Sequence, residues 1–197
     1  MTPADEAPVG PGFAHVRDEV VHTGPVISLV VGHYTAPDGT PFTREVVRHP
    51  GAVSVVPLHA DGTVTLVRQY RAALDRELLE IPAGKRDVVG EAPEVTAARE
   101  LAEEVGLRAG RLEPLAQFVN SAGFSDEYSH VFLATDLSEV ADARQGLEEQ
   151  HMTVERVDLR DVPGLIARHD LVDAKTVIGL TLTIARRGDG PDVAPGR

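Results

Sequence analysis

Three glutamates, Glu100, Glu103 and Glu104, stand at i, i+3 and i+4 in the run Arg99-Glu100-Leu101-Ala102-Glu103-Glu104-Val105. On a helix this spacing stacks their carboxylates on one face. Like charges so placed oppose one another by roughly a few tenths of a kcal/mol per pair. Something is therefore expected to neutralise them, and a hard divalent cation that takes several oxygen ligands is the natural choice. A solvated acidic helix face is the plain alternative. The surroundings favour the cation: Arg99 precedes the cluster, Gly106 follows as a C-cap glycine would, and Pro82-Ala83-Gly84 leads in from upstream.

The frame that must hold this cluster is bounded by composition. At 197 residues the chain suits one domain with a substantial core. Its hydrophobic fraction of 42% and charged fraction of 25% are those of a soluble globular protein. A formal net charge of −12 argues against a nucleic-acid backbone or an anionic membrane as partner. A small anionic substrate stays open, because a bound metal inverts the local field. Cysteine is absent, which removes disulfides, a thiolate nucleophile and Cys-zinc sites and fits a reducing cytoplasm. The opening stretch MTPADEAPVGPG lacks the basic and apolar segments of a signal peptide, and no apolar run reaches the length of a membrane span.

Along the chain, residues 1–15 read as a disordered lead, residues 16–187 as a single domain and residues 188–197 as a disordered tail. Val16–His22 alternates apolar and charged residues. Val26–Tyr34 and Phe42–Val47 read as a hairpin around Ala36-Pro37-Asp38-Gly39-Thr40. Ala52–His59 reads as a strand that turns at Asp61-Gly62 and pairs back along Val64–Tyr70. Leu78–Ile81 is a short strand, and the acidic helix starts near Pro93, whose fixed φ suits a first helical turn. Leu112–Val119, His130–Ala134 and Met152–Asp158 read as strands, with the loop Asn120–Glu127 between the first two. Ser138–Gln150 is polar and Glu-rich, while Val162–Arg168 and Ala174–Arg186 read as helices. Strands and helices do not alternate strictly, so a mixed sheet with helices against its faces is favoured over a doubly wound parallel one.

The stretch Gly84…Glu91…Arg99-Glu100-Leu101-Ala102-Glu103-Glu104-Val105-Gly106-Leu107 resembles the Nudix box, the loop–helix–loop signature of the Nudix hydrolases. From Arg99 to Leu107 every defined position of the signature is matched. Six residues, Lys85 to Gly90, separate Gly84 from Glu91, one more than the family pattern, and the extra residue falls in the loop ahead of the helix. The flanks Arg44-Glu45-Val46-Val47, Gln69-Tyr70-Arg71, Glu80-Ile81-Pro82-Ala83-Gly84 and Ala122-Gly123-Phe124-Ser125-Asp126-Glu127 are similar to segments of actinobacterial ADP-ribose pyrophosphatases. The resemblance spans roughly residues 20–185. It implies the Nudix α/β/α sandwich, an α+β fold with a mixed sheet, plus an N-terminal antiparallel region over residues 16–50. It also implies a homodimer that exchanges these strands and shares its active sites.

The resemblance assigns the metal to Glu100, Glu103, Glu104 and the carbonyl of Ala83, with Mg²⁺ as cofactor and Mn²⁺ as a substitute. Arg99 would orient the glutamates; an ordinary helix salt bridge to Glu103 is compatible with that. The general base is expected on the loop after the box, at Glu149, with Glu148 and Glu103 as competitors. His151 reads as a solvent-facing loop residue. Arg44, Glu45 and Arg71 match substrate-holding positions, the first two reaching across the dimer, against a structural ion pair as the alternative. Glu80 would touch metal or the terminal ribose, or be a surface acid at a strand end. Gly123, Phe124 and Glu127 would shape the substrate loop, Gly123 by allowing close backbone approach. The family aromatic near Pro25-Val26 is missing, which leaves Phe124, Tyr70 or aliphatic contacts to hold a base. The expected reaction is Mg²⁺-dependent hydrolysis of the ADP-ribose diphosphate to AMP and ribose 5-phosphate, by water attack on phosphorus. The rivals are another nucleoside diphosphate substrate, such as an ADP-sugar, nucleotide sugar or dinucleotide, and a non-catalytic ADP-ribose sensor.

Overall fold

Apolar alternation in the first part of the chain builds a three-stranded antiparallel sheet. The structure, a computed structural model, describes residues 12–141 and 150–188. Most of the expected lead and tail, and the loop carrying Glu148 and Glu149, lie outside the described residues. The chain divides into two compact units: Met1–Ala52 with Lys85–Glu91 and Phe118–Ser129, and Val53–Gly84 with Ala92–Gln117 and His130–Arg197.

In the first unit, β1 (Ala14–Thr23), β2 (Ser28–Thr35) and β3 (Pro41–Arg48) run in that order, each antiparallel to the next. The Pro-Asp-Gly turn joins β2 to β3 as expected, with Gly39 at φ 84° and its N–H donating to the Ala36 carbonyl at 2.9 Å. Strand β1 starts before residue 16, where the ordered chain was expected to begin. Phe13 packs edge-on to Phe42 at 6.1 Å, and His15 lies 5.2 Å from the ring of Tyr34. Every residue of β1 is exposed, Val16, Val20 and Val21 included, so this strand leaves an apolar edge in solvent.

The second unit carries two sheets, of order β10–β5–β6 and β7–β4–β9–β8. Their strands are β4 (Ala52–Pro57), β5 (Thr63–Arg71), β6 (Arg76–Glu80), β7 (Ala83–Lys85), β8 (Leu107–Val119), β9 (Tyr128–Glu139) and β10 (Thr153–Asp158). Among the described residues its longer helices are α1 (Pro93–Val105), α2 (Val162–Ala167) after a 3₁₀ turn, and α3 (Ala174–Arg187). Strand β4 is buried on both sides, and its alternating residues face two helices. Val53 and Val55 join Ala97 and Leu101 of α1 in one core cluster with Phe132 and Ala134. On the other side Gly179 of α3 sits so close to Val56, Val131 and Ile81 that an added Cβ would lie 3.0–3.3 Å from them. Helix, sheet and helix thus form an α/β/α sandwich. Among the described residues no helix is long and apolar enough to cross a membrane.

The expected β4–β5 hairpin is corrected. The turn exists, with His59 N–H bonded to the Thr63 carbonyl at 2.9 Å, but only a single bridge, Leu58 to Val64, links the strands. Each is already central in its own sheet, β4 between β7 and β9 and β5 between β10 and β6, so neither has a free edge for the other. Strand β8 begins at Leu107 rather than Leu112, and β9 runs on to Glu139 rather than ending at Ala134. Arg108, Gly110 and Arg111 hide the start of β8 from an apolar count. Gly110 is there because a Cβ would come within 2.8 Å of Asp136 Cβ, on a residue at φ 54° in β9.

Candidate active site

Helix α1 opens with Pro93 at its first turn and closes at Gly106, which takes the left-handed conformation at φ 65°. Ala97, Leu101 and Glu104 fall at i, i+4 and i+7, a single buried stripe facing the sheet. Glu104 therefore carries a carboxylate inward, to 3% exposure. There it accepts a hydrogen bond from the Ala83 N–H at 3.0 Å. Glu100, one turn earlier, lies against Gly84: a Cβ on that glycine would be 2.0 Å from Glu100 Cδ and 2.3 Å from its Oε1. Arg99 Nη1 donates to Glu100 Oε1 at 2.9 Å and to Glu103 Oε2 at 3.2 Å. The orienting bonds and the helix salt bridge expected for Arg99 are thus one and the same fork.

The same unit gathers a second group of charges around a buried glutamate. Glu80 has no exposed surface, which corrects the reading of a surface acid at a strand end. Arg71 grips it with Nε at 2.7 Å and Nη2 at 2.6 Å, and Lys175 bonds its Oε2. With both oxygens engaged by protein cations, Glu80 presents no face to a ligand in this arrangement; it orients Arg71 instead. Lys175 also pairs with Asp173 at 2.9 Å. Asp173 caps α3, accepting from Thr176 N–H at 2.9 Å and Thr176 Oγ1 at 2.6 Å, while that hydroxyl accepts from Ile81 N–H at 3.0 Å. Burial pushes the Asp173 carboxyl up, but Lys175 and Thr176 outweigh it and hold it below the ordinary 3.8. The bidentate bond to Glu80 raises the Arg71 guanidinium against the opposing effect of burial. Sequence reading missed Asp173, Lys175 and Thr176. The available signal was the Asp–x–x–Thr spacing that opens α3.

The predicted substrate residues Arg44, Glu45, Gly123, Phe124 and Glu127 lie in the first unit. Arg44, on β3, holds its guanidinium 5.0 Å above the Phe42 ring and donates to the Thr43 carbonyl at 2.7 Å; Glu45 beside it is exposed. The loop 120–127 is tied to β3 by Val47 N–H to the Phe124 carbonyl at 2.7 Å and Asp126 N–H to the Val47 carbonyl at 3.2 Å. Asp126 adds a pair to Arg48 at 3.0 Å and accepts from His49 N–H at 2.9 Å. These anchors, Arg48, His49 and Asp126, were not singled out from sequence. Phe124 is 57% exposed, and the Glu127 carboxylate stands 3.9 Å from His49 Nδ1. An added Cβ at Gly123 would meet no protein atom within 4 Å. Tyr70 spends its hydroxyl on Asp75 at 2.8 Å.

The residues around α1 suit a hard divalent cation. All of the donors are oxygens, and Gly84 leaves the space in which the Glu100 carboxylate sits. Among the described residues no group of three or more acidic or histidine side chains is gathered closely enough to hold a metal ion. Arg99 ties Glu100 to Glu103, while Glu104 is held separately on the Ala83 N–H. Such a set fits an ion that takes part of its shell from substrate phosphate and water. Two clefts in the same unit, of about 530 and 600 Å³, contain none of the predicted residues, and the second is lined largely by mutually paired arginines and acids.

Comparison with known proteins agrees with this geometry. The NUDIX domain model matches residues 48–178. An ADP-ribose pyrophosphatase of Bacillus subtilis is 41% identical over 165 residues, covering 84% of this chain and 89% of the relative. One of Mycobacterium tuberculosis is 39% identical over 168 residues, covering 85% and 81%. A crystal structure described as an ADP compounds hydrolase superposes with a TM-score of 0.76 over 90% of this chain and 96% of its own, at 23% identity, which supports the fold. Box, sandwich and relatives together make this chain a member of the Nudix family, a hydrolase of the kind that works with a divalent metal.

Proposed function

We propose that the chain hydrolyses the diphosphate of ADP-ribose in the presence of Mg²⁺, releasing AMP and ribose 5-phosphate. The observation that carries this reading is the buried Glu104 carboxylate on Ala83 N–H, with Glu100 seated against Gly84. The relatives named as ADP-ribose pyrophosphatases supply the substrate. Glu100, Glu103, Glu104 and the Ala83 carbonyl would hold the cation. A divalent cation, when bound, neutralises diphosphate charge and acidifies water. Arg99 keeps Glu100 and Glu103 in register. Glu149 takes the proton of the attacking water, whose oxygen bonds to phosphorus as the bridging P–O bond breaks. Arg71 contacts phosphate through the edge of its guanidinium that Glu80 leaves open. Arg44, Glu45, Gly123, Phe124 and Glu127 are assigned to substrate by resemblance.

We assign residues 16–50 to pairing with a second copy, because β1 presents its apolar residues to solvent. The absence of cysteine supports a place in the cytoplasm. One observation favours a second reading, a different sugar or nucleotide on the diphosphate. Where the family aromatic would stand, Pro25-Val26-Ile27 is aliphatic, with Val26 and Ile27 exposed. Incubation with Mg²⁺ and a panel of nucleoside diphosphate sugars, ranked by kcat/KM, decides between the two. AMP released fastest from ADP-ribose supports the first, and efficient cleavage of another member beside weak ADP-ribose turnover overturns it. Binding without any turnover would favour a sensor.

A further inference from the structure

The buried charges around Glu80 form a closed circuit. From the Ile81 N–H the chain of bonds runs to the Thr176 hydroxyl, to Asp173, to Lys175 and back to Glu80, the residue before Ile81. Arg71 hangs from the same carboxylate by two parallel bonds. The backbone leaves this circuit at Pro82 and at once becomes Ala83 and Gly84, which meet Glu104 and Glu100. Lys175 is the member through which α3 reaches Glu80, and its side chain is only 12% exposed.

We propose that Lys175 is a positioning residue of the hydrolytic site. Through Glu80 it fixes the Arg71 guanidinium and the strand end that delivers Ala83 and Gly84 to the α1 carboxylates. An anchor of this kind acts as outer partners of metal ligands do, orienting groups that themselves touch ion or substrate. A lysine there supplies a point charge with several donors, which suits two carboxylates approached from one side. Glu80 and Asp173 are the acids that pair with Lys175, and Arg71 shares Glu80 with it. The phosphate arm of this proposal rests on the hydrolase function proposed above; the metal arm does not.

The test compares Lys175→Met, Lys175→Gln and Lys175→Arg with wild type and with Leu159→Ala, which removes a buried side chain away from the circuit. Three quantities are read: the thermal midpoint, the Kd for Mn²⁺ by calorimetry without substrate, and KM and kcat for ADP-ribose. Removing an outer partner typically costs about 10-fold or more. Lys175→Met is expected to weaken Mn²⁺ binding and raise KM by about that factor, with Lys175→Arg recovering most of both. Leu159→Ala should lose stability while keeping Mn²⁺ affinity within about twofold, since cavity costs fall on folding. Lys175→Gln reads the same quantities should the methionine variant fail to fold. If the Lys175 variants lose stability alone, with Mn²⁺ affinity and KM unchanged, the lysine is merely structural and the proposal is wrong. If wild type fails to cleave ADP-ribose, the substrate reading falls, and the Mn²⁺ titration still decides the role of Lys175.

Discussion

Gly84→Ala is the substitution that separates site from scaffold most sharply. The glycine has no positive φ to protect, so the change acts through volume alone. Its new Cβ would lie 2.0 Å from Glu100 Cδ, 2.3 Å from Oε1 and 2.4 Å from Cγ, whereas ordinary contact begins at 3.4 Å. The carboxylate must therefore retreat by at least about 1.4 Å, the difference between 3.4 and 2.0 Å. It can do so cheaply, because the atoms in the way are the far end of a flexible side chain. An off-rotamer χ costs about 0.5–1.5 kcal/mol, and the loss of glycine freedom in the unfolded chain returns about 0.4–1 kcal/mol. The thermal midpoint should move by only a few degrees. Function should not be spared. Mg²⁺ demands oxygens at about 2.0–2.1 Å, and misplacing a group by about 1 Å can cost ~100-fold. We expect kcat/KM to fall by about 100-fold or more, ~2.7 kcal/mol, with Mn²⁺ affinity falling alongside. AMP release at saturating Mg²⁺ and a calorimetric Mn²⁺ titration measure both. A variant within about fivefold of wild type in both assays would show that Glu100 need not lie against residue 84 to work, and the site geometry described above would be wrong.

Glu104→Gln keeps an oxygen to accept from Ala83 N–H but removes the charge; turnover should drop ~100-fold or more with little change in melting, and a near wild-type rate would remove Glu104 from the metal site. Glu149→Gln should lower kcat by ~10²–10⁴-fold while leaving Mn²⁺ affinity nearly intact; a loss under a few-fold moves the general base elsewhere. Asp173→Asn retains the helix cap, since asparagine caps as well as aspartate, but drops the charge facing Lys175. Because the folded pKa of Asp173 lies below 3.8, its charge stabilises the fold above that value and the contribution fades as pH falls through the folded pKa. Chemical denaturation should therefore show the variant weaker by about 1.5 kcal/mol at neutral pH, with the gap closing well below pH 3.8. A gap of constant size down to that range would mean the carboxylate is not the source.

What could be read from the sequence is what local rules govern. Pro93 and Gly106 bracket α1 because proline lacks an N–H that the first turn does not need and glycine accepts the left-handed cap. The three-residue and four-residue spacings that place Glu100, Glu103 and Glu104 together are properties of any helix. The β2–β3 hairpin follows from its Pro-Asp-Gly turn. Strand partners beyond a turn do not follow from local rules, and the β4–β5 pairing failed for that reason: both strands read as apolar, and nothing in either says which sheet it joins. Burial of Glu80 was invisible for a related cause. A glutamate at a strand end is ordinarily exposed, and its conversion to a core residue depends on Arg71 in the neighbouring strand and Lys175 nearly a hundred residues away in sequence.

Stability alone is a weak reason for a sequence to keep such a circuit. Taking ions out of water costs several kcal/mol each in effective terms, and exchanging a buried charge set for packed apolar residues is often neutral or favourable by about 1–4 kcal/mol. The sandwich already has an apolar interior in Leu101, Ile81, Leu180 and a row of core valines. What four charges supply and leucines cannot is direction. Each bond fixes an angle as well as a distance, and together they set the heading of the backbone from Glu80 to Gly84. On α1 the same logic divides one acidic run into three environments. Glu104 is turned into the core and held by Ala83 N–H, Glu100 is confined by Gly84, and Glu103 stays at the rim on Arg99.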